Sequence, residues 1–175
     1  MKIDFEISNS TIIPGLKIFT PNSFKEERGE IWTSYFSEAI EKSLPGKLKF
    51  KHDKFSTSKR KVLRGIHGDY KTWKLVSCVQ GSVYQVVVDL REKSKSYLSW
   101  QSFSIGEDNH SSILIPPGCG NAFYVKSEIA TYHYKLAYCG NYLDAQDQFT
   151  VSWNDERIRI DWPDEDPILS KRDKK

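Results

Sequence analysis

Arg64 and His67 stand three residues apart around Gly65 in the strand-like run VLRGIHGD, residues 62–69. Histidine titrates near neutral pH without any perturbation, so His67 suits a general base. A glycine inside a strand marks a bulge or a close approach of backbone to a ligand. Taken locally, the same histidine serves equally well as a structural residue that satisfies one hydrogen bond. Lys74 opens the apolar run KLVSCV, residues 74–79. A lysine there is ordinarily a solvated strand end; turned into a cavity, its ammonium would stabilise an oxyanion developing on a carbonyl substrate. Tyr132 and Tyr134 flank His133 and so share one strand face, where a tyrosine either packs with a tethered hydroxyl or donates a proton.

A second motif, PPGCGN at residues 116–121, reads as a tight turn feeding a strand that begins near Ala122. A transition-metal site built on this turn and the His67 strand would want a histidine pair with a glutamate before the turn and another histidine after it. Here Asp69 follows His67 and the position after the turn is Asn121, a poor ligand. His52, His110 and His133 form no compensating cluster, so the site reads as metal-free.

Positioning these groups is work for strands. Residues 47–51, 97–105 and 130–137 alternate with period two, and residues 83–90 (VYQVVVDL) form a nearly continuous β-branched run, as expected of a strand buried on both faces. Gln80-Gly81 is a plausible tight turn, and residues 36–44 (FSEAIEKSL) carry the one stretch of helical spacing. Many short strands with a single brief helix predict a β-sandwich or barrel, whose inward side chains can line a cavity. No repeat, linker or low-complexity tract divides residues 1–175, which read as one domain.

The composition excludes several classes. With 13% aromatic residues and no long apolar run, the chain fits neither a disordered nor a membrane-spanning protein. The first ten residues lack the regions of a signal peptide, and three cysteines without redox or zinc spacing argue against a disulfide framework, so the cytoplasm is expected. The formal charge is only +3, but it is segregated. Residues 47–64 hold eight Lys or Arg against one Asp, and residues 144–166 hold eight acids against two Arg. The basic segment suits either an aggregation-resistant strand edge or an anion site in which Leu48, Phe50, Phe55 and Leu63 anchor the strand while the bases face phosphates. The otherwise neutral body and the lack of any known motif disfavour nucleic acid.

RGIH at 64–67, KLVSCVQGSVYQVVVDLR at 74–91, IPPGCGNAFYV at 115–125, YKLAY at 134–138, WND at 153–155, IDWP at 160–163 and PILSKRD at 167–173, in that order, resemble the dTDP-4-dehydrorhamnose 3,5-epimerase family. The resemblance runs from about Gly15 to Asp173 and includes Glu26, Arg28 and Gly29 as an early acid-x-Arg-Gly motif. It implies a mainly β, metal-free cupin or jelly-roll barrel with short flanking helices, acting as a homodimer that inverts carbons beside the 4-keto group of a nucleotide sugar. Carried over by position, it implies His67 as base, Lys74 near the keto oxygen, Tyr134 as acid on the opposite face and Asp173 as the carboxylate behind the histidine. Arg28 and Arg64 would contact the diphosphate. Two departures stand out: His52-Asp53-Lys54-Phe55 replaces the usual Gln-Asp-Asn-His, a stretch that helps contact the nucleotide, and Asn121 replaces a histidine. His52, Lys54 and Asn121 are therefore expected to set a different substrate, and the KHDKF, RGIHGD, YKLAY and WNDERI character resembles the branch acting on GDP-4-keto-heptoses in capsule synthesis. The alternatives are a dTDP-4-keto-6-deoxyhexose 3,5-epimerase or a 3,4-ketoisomerase; from other classes, a metal-dependent oxygenase or a non-catalytic sugar-nucleotide binding module.

Overall fold

A computed structural model describes residues 2–174. In chain order its strands are β1 (Phe5–Asn9), β2 (Lys17–Pro21), β3 (Ser23–Glu26), β4 (Gly29–Trp32), β5 (Phe50–Lys59), β6 (Leu63–Gly68) and β7 (Trp73–Gln80). There follow β8 (Ser82–Asp89), β9 (Trp100–Gly106), β10 (Ser112–Ile115), β11 (Cys119–Val125), β12 (Ile129–Ala137) and β13 (Phe149–Thr150). The helical spacing at 36–44 yields one short helix, α1 (Ser37–Ile40), continued by a 3-10 turn over Glu41–Ser43.

The strands form two facing antiparallel sheets, ordered β1-β2-β10-β7-β12-β5 and β13-β6-β11-β8-β9, with β3 and β4 as a separate hairpin. This mainly β architecture matches the sequence expectation of a sandwich or barrel. Between the sheets Val76, Val83, Val87, Phe123, Val125 and Tyr132 pack as one buried cluster. Each outer face is covered as well. Ile40 of α1 and Leu44 lie on Phe19, Leu75 and Leu114 of the first sheet, and Ile158 with Trp162 covers Ile66, Val86 and Val88 of the second. The β-branched run of β8 is therefore buried on both sides, as its composition requires.

Two local expectations are corrected. The strand after the PPGCGN turn begins at Cys119, three residues before Ala122, because Gly118 at φ +80° completes the turn. Leu48, Phe50 and Leu63 are packed as expected, but from His52 on the basic run enters the sheet the other way round: β5 turns His52, Lys54, Ser56 and Ser58 inward, while Phe55 stands 59% exposed on the outer face beside Lys51 and Lys59. Phe55 is not an anchor, and the run presents no single row of bases to a ligand.

Candidate active site

Along several strands the inward face changes character from one end of the sandwich to the other. On β7 it runs from Lys74 to Val76 and Cys78, on β12 from Tyr134 to Tyr132, and on β11 from Asn121 to Phe123 and Val125. The apolar end is the packed core. The polar end encloses an inner chamber of about 60 Å³ lined by Lys54, Arg64, His67, Lys74, Asn121 and Tyr134, among others. It shares Lys54, Arg64, His67, Tyr134 and Gln148 with an outer cleft of about 310 Å³. The inner chamber alone has room for roughly two waters, so a sugar-sized ligand must also occupy the cleft. Two wider surface grooves, each about 620 Å³, lie around Trp153 to Glu165 and around Lys47 to Gly140, and neither brings a base, an acid and a buried cation together.

Arg64 and His67 both line the chamber, although residues three apart on a regular strand point to opposite faces. A register shift between β6 and β11, opposite Asn121 and Phe123, resolves this. Gly65 sits at the shift with φ +133°, and a Cβ there would lie 2.3 Å from the Ala122 Cβ, so only glycine lets β6 approach β11 this closely.

His67 Nε2 is 2.6 Å from Asp173 Oδ1, and Ser170 Oγ donates to the other carboxylate oxygen at 2.8 Å. Burial by itself would raise the Asp173 carboxyl; the bonds from His67 and Ser170 outweigh it and hold it below the ordinary range. An Nε2–H donated to this carboxylate leaves Nδ1 as the basic nitrogen. The C-terminal segment that delivers Asp173 is laid along β6: Leu63 N–H donates to Ile168 O, and Ile168 N–H to Lys61 O.

Tyr134 faces His67 from the opposite sheet. Burial pushes its phenol up to about 12, against the opposing influence of Ser56 and Arg64. Tyr132, on the same strand face, is instead fully buried, stacked on Phe123 and hydrogen-bonded to Gln85. Lys74, 5% exposed, donates to Asp69 Oδ2 at 2.7 Å. Lys54 pairs with Asp144 at 2.7 Å and lies 5.2 Å from the Tyr134 ring centre. Asn121 Oδ1 accepts from Gln85 Nε2 at 2.6 Å, which fixes the orientation of its amide.

Of the residues expected at the site, His67, Asp173, Tyr134, Lys74, Arg64, Lys54 and Asn121 come together around the chamber and cleft. Two do not. His52 lines neither space and bonds Tyr138 OH through Nδ1 at 3.1 Å. Arg28 lies in the β3–β4 turn, paired with Glu26, its side chain 86% exposed. The sequence does not single out Asp144, Gln148 and Arg172, which line the cleft from segments without periodic pattern, or Asp69, the partner of Lys74, whose spacing from His67 bears only on metal binding. Among the described residues no three His, Cys, Asp or Glu side chains converge as a metal site requires, and no helix is long and apolar enough to cross a membrane.

Residues 10–175 match the family model described as dTDP-4-dehydrorhamnose 3,5-epimerase. The Escherichia coli K12 protein named dTDP-4-dehydrorhamnose 3,5-epimerase is 37% identical over 169 residues, covering 94% of this chain and 90% of its own. A Streptomyces niveus relative, named dTDP-4-dehydrorhamnose 3-epimerase, is 32% identical over 92% of this chain and 78% of its own. A solved Legionella pneumophila dTDP-6-deoxy-D-glucose-3,5-epimerase, in complex with dTDP-4-keto-L-rhamnose, superposes with a TM-score of 0.88 at 33% identity, covering 98% of this chain and 90% of that one. These names concern dTDP sugars and lend no support to the expected GDP-heptose branch. On the matched model, the shared length and the common cupin-type fold, the chain belongs to the dTDP-4-dehydrorhamnose 3,5-epimerase family, an isomerase family.

Proposed function

We propose that this protein inverts C3, C5 or both in a nucleoside-diphosphate-linked 4-keto sugar. The observation that carries the reading is the His67–Asp173 pair on one wall of the cleft, Tyr134 on the other and the Lys74 ammonium at the floor between them. A C–H beside a ketone loses its proton only if the charge left behind is stabilised on oxygen. His67 Nδ1 takes that proton, the bonding pair moves to the C4 oxygen as an enolate, and Lys74 faces the charge. The resulting imidazolium is held by Asp173. Tyr134, still protonated at neutral pH with its phenol near 12, returns a proton to the other face of the carbon and recovers one from solvent, to which His67 releases the proton it took. No net oxidation occurs, and the residues present need no cofactor for it. Arg64, Lys54 and Arg172 give the cleft the cations that a diphosphate requires.

The relatives favour a dTDP-4-keto-6-deoxyhexose as substrate. A second reading, a GDP-4-keto-heptose for capsule synthesis, rests on Lys54 and Asn121, which line the chamber where the family usually places other residues. Incubation with each sugar nucleotide in deuterated water, followed by NMR at C3 and C5, tests both. Deuterium is expected at one or both carbons, the faster substrate identifies the nucleotide, and absence of exchange with both sinks the epimerase reading.

A homodimer belongs to the same proposal. Among the described residues the β3–β4 hairpin pairs with no other strand, and it exposes Phe24 (51%) and Ile31 (62%), so it suits docking on a second copy, where Arg28 would reach the other cleft. A monomer in light scattering, or an unchanged KM in Arg28→Ala, would remove this element.

A further inference from the structure

The most deeply buried charged pair in the chamber is not the histidine pair but Lys74 with Asp69, whose side chains are 6% and 0% exposed. Asp69 is held as a fixed anion: its Oδ1 accepts the backbone N–H groups of Lys71 at 2.8 Å and Thr72 at 2.6 Å, and its Oδ2 accepts the Thr72 hydroxyl at 2.7 Å. The Lys74 ammonium completes that set at 2.7 Å, and among the described residues it has no other hydrogen-bond acceptor. An ammonium carries three N–H groups, so two remain for whatever enters the chamber. Tyr142 OH, 3.5 Å from Oδ2 and itself accepting from Gln148 Nε2 at 2.8 Å, covers the pair from the 141–148 segment.

We propose that Asp69 is a positioning residue for the reaction: it keeps Lys74 charged and aims two of its three N–H groups at the keto oxygen. This rests on the epimerase reading above. Burial draws the Lys74 ammonium below its ordinary range, and Asp69 is the main group opposing that fall. The other titratable and charged groups around the chamber and cleft are Lys54 from β5, Arg64 and His67 from β6, Cys119 from β11, Tyr134 from β12, Tyr142 and Asp144 from the 141–148 segment, and Arg172 and Asp173 from the C-terminal segment. Of the cations among these, Lys54 lowers the Lys74 ammonium further, and its partner Asp144, 2.7 Å away, opposes that effect. Without Asp69, burial and these like charges would neutralise Lys74 within the working pH range and leave the enolate without its counter-charge.

The test compares deuterium exchange against pH in wild type and Asp69→Asn. The variant is expected to lose about 10- to 100-fold in kcat above about pH 8, with KM within about 3-fold and the deficit narrowing as pH falls and Lys74 regains its proton. An equal deficit at every pH, or none, overturns the proposal. Because the substitution strands a buried cation, the Lys74 Nζ resonance of ligand-free wild type, assigned by its loss in Lys74→Arg, is titrated as well. A midpoint above about pH 8.5, against an ordinary lysine near 10.4, supports the role, and one at or below that pH overturns it. This measurement uses no substrate, so its failure is distinct from the absence of wild-type exchange, which would remove the epimerase reading instead.

Discussion

Two histidines in this protein make the same bond: His67 Nε2 to Asp173 Oδ1 and His133 Nε2 to Asp53 Oδ1, each at 2.6 Å. Their surroundings differ completely. Asp173 is 2% exposed and serves His67 and Ser170, whereas Asp53 is 43% exposed and shares its carboxylate with Lys135. The second nitrogen of His133 is 3.3 Å from Ser77 Oγ, and its ring is stacked on Phe55 on the outer face of the first sheet. The second nitrogen of His67 is left for the chamber, with a tyrosine opposite and a lysine at the floor. A histidine–carboxylate pair is thus common strand furniture. It becomes a candidate base when the free nitrogen meets a cavity in which charge can be received and a proton returned.

This contrast is testable from its strongest member downward. Replacing His67 by Asn keeps much of the shape and removes the basic nitrogen, and should cut deuterium incorporation by about 10³-fold or more. The same change at His133 should leave kcat within about twofold, and a large loss there would dissolve the distinction between the two pairs. Asp173→Asn should cost about 10²-fold or more in kcat with little change in KM, because it disturbs the tautomer and the stabilisation of the imidazolium rather than binding. Removal of the chain after Ser170 should match that loss in kcat and, by taking Arg172 with it, raise KM as well; retained kcat would take Asp173 out of the mechanism. Tyr134→Phe should slow inversion by about 10²-fold while exchange on the His67 side survives, separating the two protonation events.

The smallest expected effect concerns acid stability. Both carboxyls are lowered: burial would raise each, and the bonds from His67 and Ser170 to Asp173, and from Lys135 and His133 to Asp53, prevail. A carboxyl lowered in the folded state stabilises it above the unfolded value of about 3.9, and that contribution disappears as pH falls through the folded value. Acid denaturation should therefore respond to Asp173→Asn and much less to Asp53→Asn, whose exposed pair is worth about 0–1 kcal/mol and is screened by salt. Equal responses would mean that burial does not separate the pairs energetically.

The same contrast marks how far the residues can be interpreted one by one. His67, Lys74 and Tyr134 are legible as chemistry because their types are unusual within strand patterns, and the family resemblance adds Asp173. His133, within the period-two run 130–137, is as polar a strand residue as His67, and only the Gly65 and Arg64 beside His67 set the two apart locally. Arg28 and His52 carried family roles by position but stand outside the cleft of a single chain. Asp144 and Gln148 come from a segment with neither helical nor strand period, so no pattern singles them out.

From the sequence alone came the strand-rich class, the turns at Gly81 and Gly118, the poles of charge and the glycine between Arg64 and His67. Period two states that neighbours point to opposite faces, but it does not say which face is inside when both are covered. Here both sheets are packed on their outer sides, by Ile40 and Leu44 on one and by Ile158 and Trp162 on the other, so hydrophobicity does not mark the interior. Tertiary structure alone therefore turned Lys54 inward and Phe55 outward and used a register shift to aim Arg64 and His67 into the same chamber, and it makes the contact, implied beforehand only by the family resemblance, between Asp173 and a histidine 106 residues earlier. Such contacts depend on how two sheets and a C-terminal segment close on one another, and that closure is a property of the whole packed chain.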